Sequence, residues 1–271
     1  MRRLIVVLTV LVGGCAEERP FGVLADVLSR GELRVSTDAA YPPQSELIDG
    51  EWYGFDIDVA RAIGDHLGVQ VTFVTPPFDD VIAGGWQEAW DLSVGSVTIT
   101  NQRLSVLNFS TPYYYVPAYF GAIAGSGLTS SAQLAGRTIC VASGTTYEDY
   151  LSGRLSLSAS SIYEAPPPAM GLIIMDTDTD CIAALLETPS VAQVMMSSQT
   201  TIDDAGAGIA RFERASFAEQ LAVATDRGPT VDDEDLLDAV NGALADMRAS
   251  GELTDLSVRN YGRDLTQAPN D

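Results

Sequence analysis

Ser96, Thr98 and Arg103 fall in one stretch, residues 95–115, that reads GSVTITNQRLSVLNFSTPYYY and opens on Gly95. The apolar run at 91–97 predicts a buried strand, and Thr100 reads as the N-cap of a helix predicted over 101–107. Such a junction places a Ser, a Thr and an Arg together at a strand end. Free backbone N–H groups at a helix start attract anions, and an Arg in the first turn adds a planar fork that holds a carboxylate with two bonds. The chemistry expected is therefore capture of a small carboxylate. The competing reading, an ordinary surface ion pair, is the default for an isolated Arg in an acid-rich chain. A second junction of the same kind follows the strand predicted at 138–142: Gly144, Thr145 and Thr146 precede a helix predicted over 147–155. Thr146 and Asp149 there have the spacing of a capping box.

These junctions need a scaffold, and the pattern supplies one. A short helix at 21–28 leads into a strand at 33–36. The loop at 38–43 carries Asp38 and Tyr41, with Pro42 and Pro43 barring a helix. Asp49-Gly50 marks a hairpin. The helix predicted over 55–67 places Val59, Ala60, Ile63 and Leu67 on one face and stops at Gly68. A strand at 69–74, a loop bearing Phe78 and a helix with Ile82, Trp86 and Trp90 at intervals of four come next, although Gly84 and Gly85 weaken that helix. Alternating strand and helix predicts a parallel α/β sheet, in which ligands gather beyond the carboxyl ends of the strands. Asp38, Phe78 and the 95–103 junction all follow strands and should share one rim. The strand–helix order then repeats from Tyr119, and the residues at 182–186 around Cys181 read as a further strand. The chain ends in a strand at 217–225, a helix at 232–249 and a helical segment at 253–261.

Composition narrows the function classes. A chain of 271 residues with 46% apolar content can bury one large core or two modest ones. A formal charge of -22, from 37 acids against 15 bases, opposes binding to nucleic acid. Arg2 and Arg3 precede a short apolar run at 4–12, which reads as a secretory signal and not as a membrane span. His66, the single histidine, reads as a solvated surface residue. Asp176, Asp178, Asp180 and Glu187 have the spacing of a calcium-binding EF-hand loop, but Cys181 stands where that loop needs Gly. That match reads as chance, and no metal or cofactor is expected.

The 95–115 stretch resembles the signature of the extracytoplasmic solute-binding proteins, family 3, the polar amino-acid receptors of ABC importers. The resemblance continues through RVSTDAAYPP at 34–43, GFDIDVARAIGDHLGVQVTFV at 54–74 and GRTICVASGTT at 136–146, in the family's order. It implies an α/β, two-lobed fold of the periplasmic-binding-protein-like type II (Venus flytrap) class with two crossover hinge strands. Residues 21–115 would form lobe 1, 116–218 lobe 2, and 219–271 the return strand and C-terminal helices of lobe 1. By the same resemblance Arg103 would grip a ligand's α-carboxylate, helped by Thr98 and, from the opposite lobe, by Thr145 and Thr146. Ser96 and Glu187 would hold the α-ammonium, Glu187 standing where the family usually has Asp. Tyr41 and Phe78 would sandwich the side chain and Asp38 read its polar end, favouring a cationic or amide group over an acidic one. Gly95 and Gly144 belong to the same set, and Gln44 departs from the family's usual Phe or Glu.

VGGC at 12–15 resembles a bacterial lipobox, so Cys15 would carry lipid and residues 1–20 would be a signal and tether; an ordinary signal peptide with an incidental Cys is the alternative. Lipidation of Cys15 would leave Cys140 and Cys181. A subset of amino-acid receptors carries Cys in the same two strands of lobe 2, which implies that these two are paired; two buried free thiols are the alternative. The expectation is an exported, lipid-anchored monomer that delivers a small polar amino acid or related acid to an ABC permease. Two other readings remain: a dehydratase of the same fold with Glu187 as general acid, and a sensor ectodomain, which the lack of a transmembrane or signalling segment disfavours.

Overall fold

The computed structural model describes residues 22–157, 162–168, 170–228 and 233–268. The signal segment, Cys15 and part of the 156–180 region lie outside the described residues. Helix α1 (Val23–Arg30) ends on the left-handed Gly31 and feeds β1 (Glu32–Ser36). A small separate sheet follows from β2 (Ala40–Tyr41), β3 (Ser45–Ile48) and β4 (Glu51–Tyr53), turned at Asp49-Gly50 with φ 52° and 85°. Helix α2 occupies Phe55–Leu67 and stops at Gly68, with Val59, Ala60 and Ile63 fully buried, as its pattern predicts. Then come β5 (Gln70–Val74), α3 (Phe78–Ala83) and β6 (Leu92–Thr98), with β1 parallel to both β5 and β6.

The chain continues through β7 (Leu107–Phe109), β8 (Tyr114–Ile123), β9 (Thr138–Ala142), α4 (Thr146–Leu151), β10 (Gly171–Met175) and α5 (Asp178–Glu187). After these come β11 (Val194–Ser198), α6 (Gln199–Asp204), β12 (Ile209–Arg211), β13 (Phe217–Asp226), α7 (Glu234–Ser250) and α8 (Glu252–Tyr261). One sheet runs β10-β9-β11-β8-β13-β6-β1-β5, with β12 on β8 and β7 on β13. Its two centres are parallel and are joined by the antiparallel pair β8 and β13.

Those two strands pass from one core to the other. In β8, Tyr114 and Val116 belong to a core built on Val35, Phe55, Ile63 and Leu244, while Ala118 and Phe120 belong to a second core with Ile139, Val141 and Met196. In β13 the order reverses: Phe217 lies in the second core, Leu221 and Val223 in the first. A continuous ladder from Phe217↔Ala118 to Leu221↔Tyr114 holds the crossing together. The molecule therefore has two lobes joined by two crossover strands.

Four local expectations are corrected. The helix predicted over 101–107 is one 3-10 turn, Arg103–Ser105, whose N-cap is Gln102 and not Thr100; the Thr100 hydroxyl accepts from the Arg103 N–H at 3.1 Å, and residues 107–109 are taken into the sheet by β13. Helix α3 stops at Ala83 because Gly84 and Gly85 turn away with φ 68° each, and the Gly85 and Trp86 N–H groups donate to the Asp226 carboxylate at 2.8 Å. Helix α4 starts one residue early and ends at Leu151; its N-cap is Thr145, whose hydroxyl accepts from Glu148. The strand expected at 182–186 is part of helix α5, opened by a capping box between Thr177 and Asp180. Cys181 is thus helical, and it is bonded to Cys140 of β9 with a Cα–Cα distance of 5.6 Å.

Candidate functional site

A cavity lies between the lobes beyond the strand ends. From the first lobe it is lined by Asp38, Tyr41, Phe78, Gly95, Ser96, Thr98 and Arg103, and from the second by Thr145, Thr146, Tyr147, Asp176 and Asp178. Glu219 of the crossing strand β13 joins them. Gly144 enters through its backbone: the Arg103 guanidinium donates from Nη2 to the Gly144 carbonyl and from Nη1 to the Thr98 carbonyl, both at 2.9 Å. The guanidinium carbon also sits 5.3 Å from the centre of the Phe78 ring. Arg103 is only 4% exposed, and burial lowers its pKa to about 10, with the charges of Glu219 and Asp149 opposing the shift. It remains a cation at neutral pH. Among the described residues it forms no ion pair, so its charge is not cancelled by a permanent internal partner.

Glu187 does not belong to this cavity. It is the exposed last residue of α5, beside a separate surface hollow with Met175, Asp180 and Val191. Helix formation through 178–187 separates the two ends of the acidic run, and the residue it brings inward is Asp178, 5% exposed. The Asp178 Oδ1 has no hydrogen-bond partner. Burial raises its pKa to about 7; the Ser197 hydroxyl opposes this, and the charges of Asp38 and Glu219 add to it. Asp38 is also raised, first by burial, against N–H bonds from Ala40 and Ala39. The capping-box spacing of Thr177 and Asp180 was the available signal for this helix start, and it puts Asp178 at the first helical position. The calcium-like spacing has no geometric counterpart: among the described residues no three acids, Cys or His converge as metal ligands.

Ser96 lines the cavity but its side chain serves the scaffold. Held at φ 53°, it donates to Asp56 Oδ2 at 2.6 Å, lies 2.6 Å from the Tyr114 hydroxyl, and its N–H donates to the Tyr113 hydroxyl. Asp56 is fully buried, its pKa raised by burial to about 7 against the Ser96 and Tyr113 hydrogen bonds. Gln44, fully buried, turns to the opposite lobe, its side-chain oxygen accepting from the Thr200 hydroxyl at 2.7 Å and from that of Ser198 at 3.2 Å. His66 is exposed on α2, as expected of a surface residue. Other contacts also cross between the lobes: Ser143 to Asp79 at 2.7 Å, Thr179 to the Ala40 carbonyl at 2.7 Å, and Asn101 to Ser156 at 2.7 Å. The cleft is closed.

Residues 33–263 match the bacterial extracellular solute-binding proteins, family 3. The chain belongs to that family. An L-cystine-binding protein of Escherichia coli (strain K12) is 28% identical over 252 residues, 91% of this chain and 88% of that protein. An L-arginine-binding protein of Pseudomonas aeruginosa is 27% identical over 240 residues, covering 86% and 89%. Among solved structures, an ancestral amino-acid-binding protein that is a precursor of cyclohexadienyl dehydratase superposes with a TM-score of 0.77 at 25% identity, covering 89% of this chain and 100% of that one. This family 3 protein is thus an extracytoplasmic solute-binding protein. Among the described residues no helix is long and apolar enough to cross a membrane.

Proposed function

We propose that this family 3 protein captures a small polar amino acid between its lobes and delivers it to an ABC importer. The observation that carries the reading is a pair of opposite charges in one closed cavity: the Arg103 guanidinium on one lobe and, on the other, the Asp178 carboxyl, whose Oδ1 has no hydrogen-bond partner. An α-carboxylate answers the first and an α-ammonium the second, and each contact gains strength in a site that excludes water. Tyr41 and Phe78 flank the space left for a side chain, with Asp38 at its polar end. Residues 21–115 with 219–271 make one lobe and 116–218 the other. The relatives that bind cystine and arginine favour an amino acid as ligand. Lipidation of Cys15 would tether the protein, as a monomer, outside the cytoplasmic membrane.

The test is titration calorimetry against the amino acids after a thermal-shift screen, since a ligand that binds only the folded state raises the melting temperature by mass action. Replacing Arg103 by Ala should weaken binding by about 2 to 5 kcal/mol, because it strips one partner from a buried charge pair. Unchanged affinity in that variant overturns the role of Arg103. Turnover is the second reading, favoured by Asp178, a buried carboxyl held near neutrality in the manner of a general acid. Assays with prephenate and arogenate separate it from binding alone.

A further inference from the structure

We propose that Glu219 is a positioning residue for capture: it draws the hydroxyl protons of Thr98 and Thr146, one from each lobe, onto one oxygen, clamping the cleft shut beside the hinge and leaving the ligand's α-carboxylate to Arg103. The inference rests on the amino-acid reading above and deepens it, giving to the clamp two hydroxyls that family resemblance gives to the ligand. Glu219 is 2% exposed and projects from the crossing strand β13, opposite Val116 in the ladder with β8. Its Oε1 accepts from the Thr98 hydroxyl at 2.7 Å and from the Thr146 hydroxyl at 2.5 Å, and its Oε2 accepts from the Tyr147 hydroxyl at 2.8 Å. One carboxylate therefore ties both lobes to the strand that joins them.

A hydroxyl has a single proton to donate. Thr98 and Thr146 give theirs to Glu219, and Thr145 gives its own to the Ala142 carbonyl at 2.7 Å while accepting from the Glu148 N–H at 3.3 Å. The threonine hydroxyls expected at the α-carboxylate thus turn lone pairs, not protons, to any further partner. A carboxylate offers only acceptors and gains nothing from them. Arg103 differs, because a guanidinium has N–H groups to spare beyond the two it donates to the Thr98 and Gly144 carbonyls.

The clamp belongs to the closed form alone. Thr98 ends β6 and pairs with Leu221 of β13, whereas Thr146 is the first residue of α4 in the other lobe. Opening at the hinge carries Thr146 and Tyr147 away from an oxygen that Thr98 still reaches. Closure makes those bonds to a charged acceptor, and a ligand that selects the closed form binds more tightly by what they contribute.

Titration calorimetry with the standard L-amino acids and L-cystine tests this, the comparison using whichever binds the wild-type protein most tightly. Glu219→Ala should weaken that binding about tenfold or more, the size of a lost hydrogen bond to a charged group. Glu219→Gln, whose amide oxygen can accept from both threonines, should recover most of the loss. A Thr98→Val, Thr146→Val protein has already lost the clamp, so adding Glu219→Ala should cost little further, whereas a general structural role would make the losses add. If the two hydroxyls instead serve the α-carboxylate, removing Glu219 frees their protons, and binding stays level or tightens. Should Glu219→Ala fail to fold by circular dichroism, Glu219→Leu fills the same space without a charge and is read in the same way. Level or tighter binding in a folded variant, or additive losses, overturns the inference and leaves amino-acid capture standing. Failure of the wild-type protein to bind any of these compounds sinks the amino-acid reading and this inference with it.

Discussion

Asp178 shows how a single carboxyl links burial to ligand capture. Its pKa of about 7 in the closed cleft means that there, below neutrality, it holds a proton. An incoming ammonium favours the ionised form, so binding below pH 7 must expel that proton, and affinity should fall as pH drops from 7 towards 5. Calorimetry at pH 6 in two buffers of different ionisation enthalpy should register the released proton, and Asp178→Asn should abolish the release while weakening binding. Stability moves the other way. A carboxyl whose folded pKa lies above its unfolded value near 4 contributes stability that is full below that value and lost as pH rises through 7. Asp56 shares this sign, its pKa also raised to about 7. Melting of the ligand-free protein should therefore shift downward between pH 5 and pH 8, and a bound ammonium should remove the part due to Asp178. Glu219 was not legible in the sequence for a plain reason. A lone acid inside the apolar run FAEQLAVAT breaks no period and forms no motif, so only the meeting of three hydroxyls around it exposes its place.

At the level of elements, legibility followed the length and isolation of each signal. Helix α2 was readable to the residue because an apolar face, a glycine stop and a long uninterrupted pattern agree. Helix α5 was not, because its apolar part spans little more than one turn and short apolar runs fit strand and helix alike. The turn at Arg103 was misjudged in length because pairing of Leu107–Phe109 with β13 is a tertiary event that local propensity does not record. The pairing of Cys140 with Cys181 tolerated the error, since a helix on β9 brings the two sulfurs together as well as a strand would. That bond joins positions 41 residues apart, and by the chain-entropy account it restrains the unfolded chain by about 4 kcal/mol. A Cys140→Ala, Cys181→Ala double variant should lose up to that amount in urea unfolding. It should keep most of its ligand affinity, because the start of α5 is held independently by the Thr177 and Asp180 capping box.

For the whole molecule, ligand affinity depends on how well the lobes close. Gly144 marks the tightest point: its φ is 69°, and a Cβ there would lie 2.3 Å from Asp79 Oδ1 of the opposite lobe. Gly144→Ala should cost about 1 kcal/mol of fold stability through backbone strain. Its larger effect should be on closure, seen as ligand affinity reduced about tenfold or more, because a ligand favours the closed form only by what it gains there. Small-angle scattering should show compaction of the wild-type protein on adding ligand and little in the variant.

The paired ladder of β8 and β13 also dictates where movement will be visible. Twisting such a spine displaces each atom in proportion to its distance from the axis. Glu219, built into the spine, travels least, whereas the outer edges that meet at Asp79 and Ser143 swing through the widest arc. Spectroscopic labels that report motion belong on those edges, while Glu219 rides almost still at the pivot.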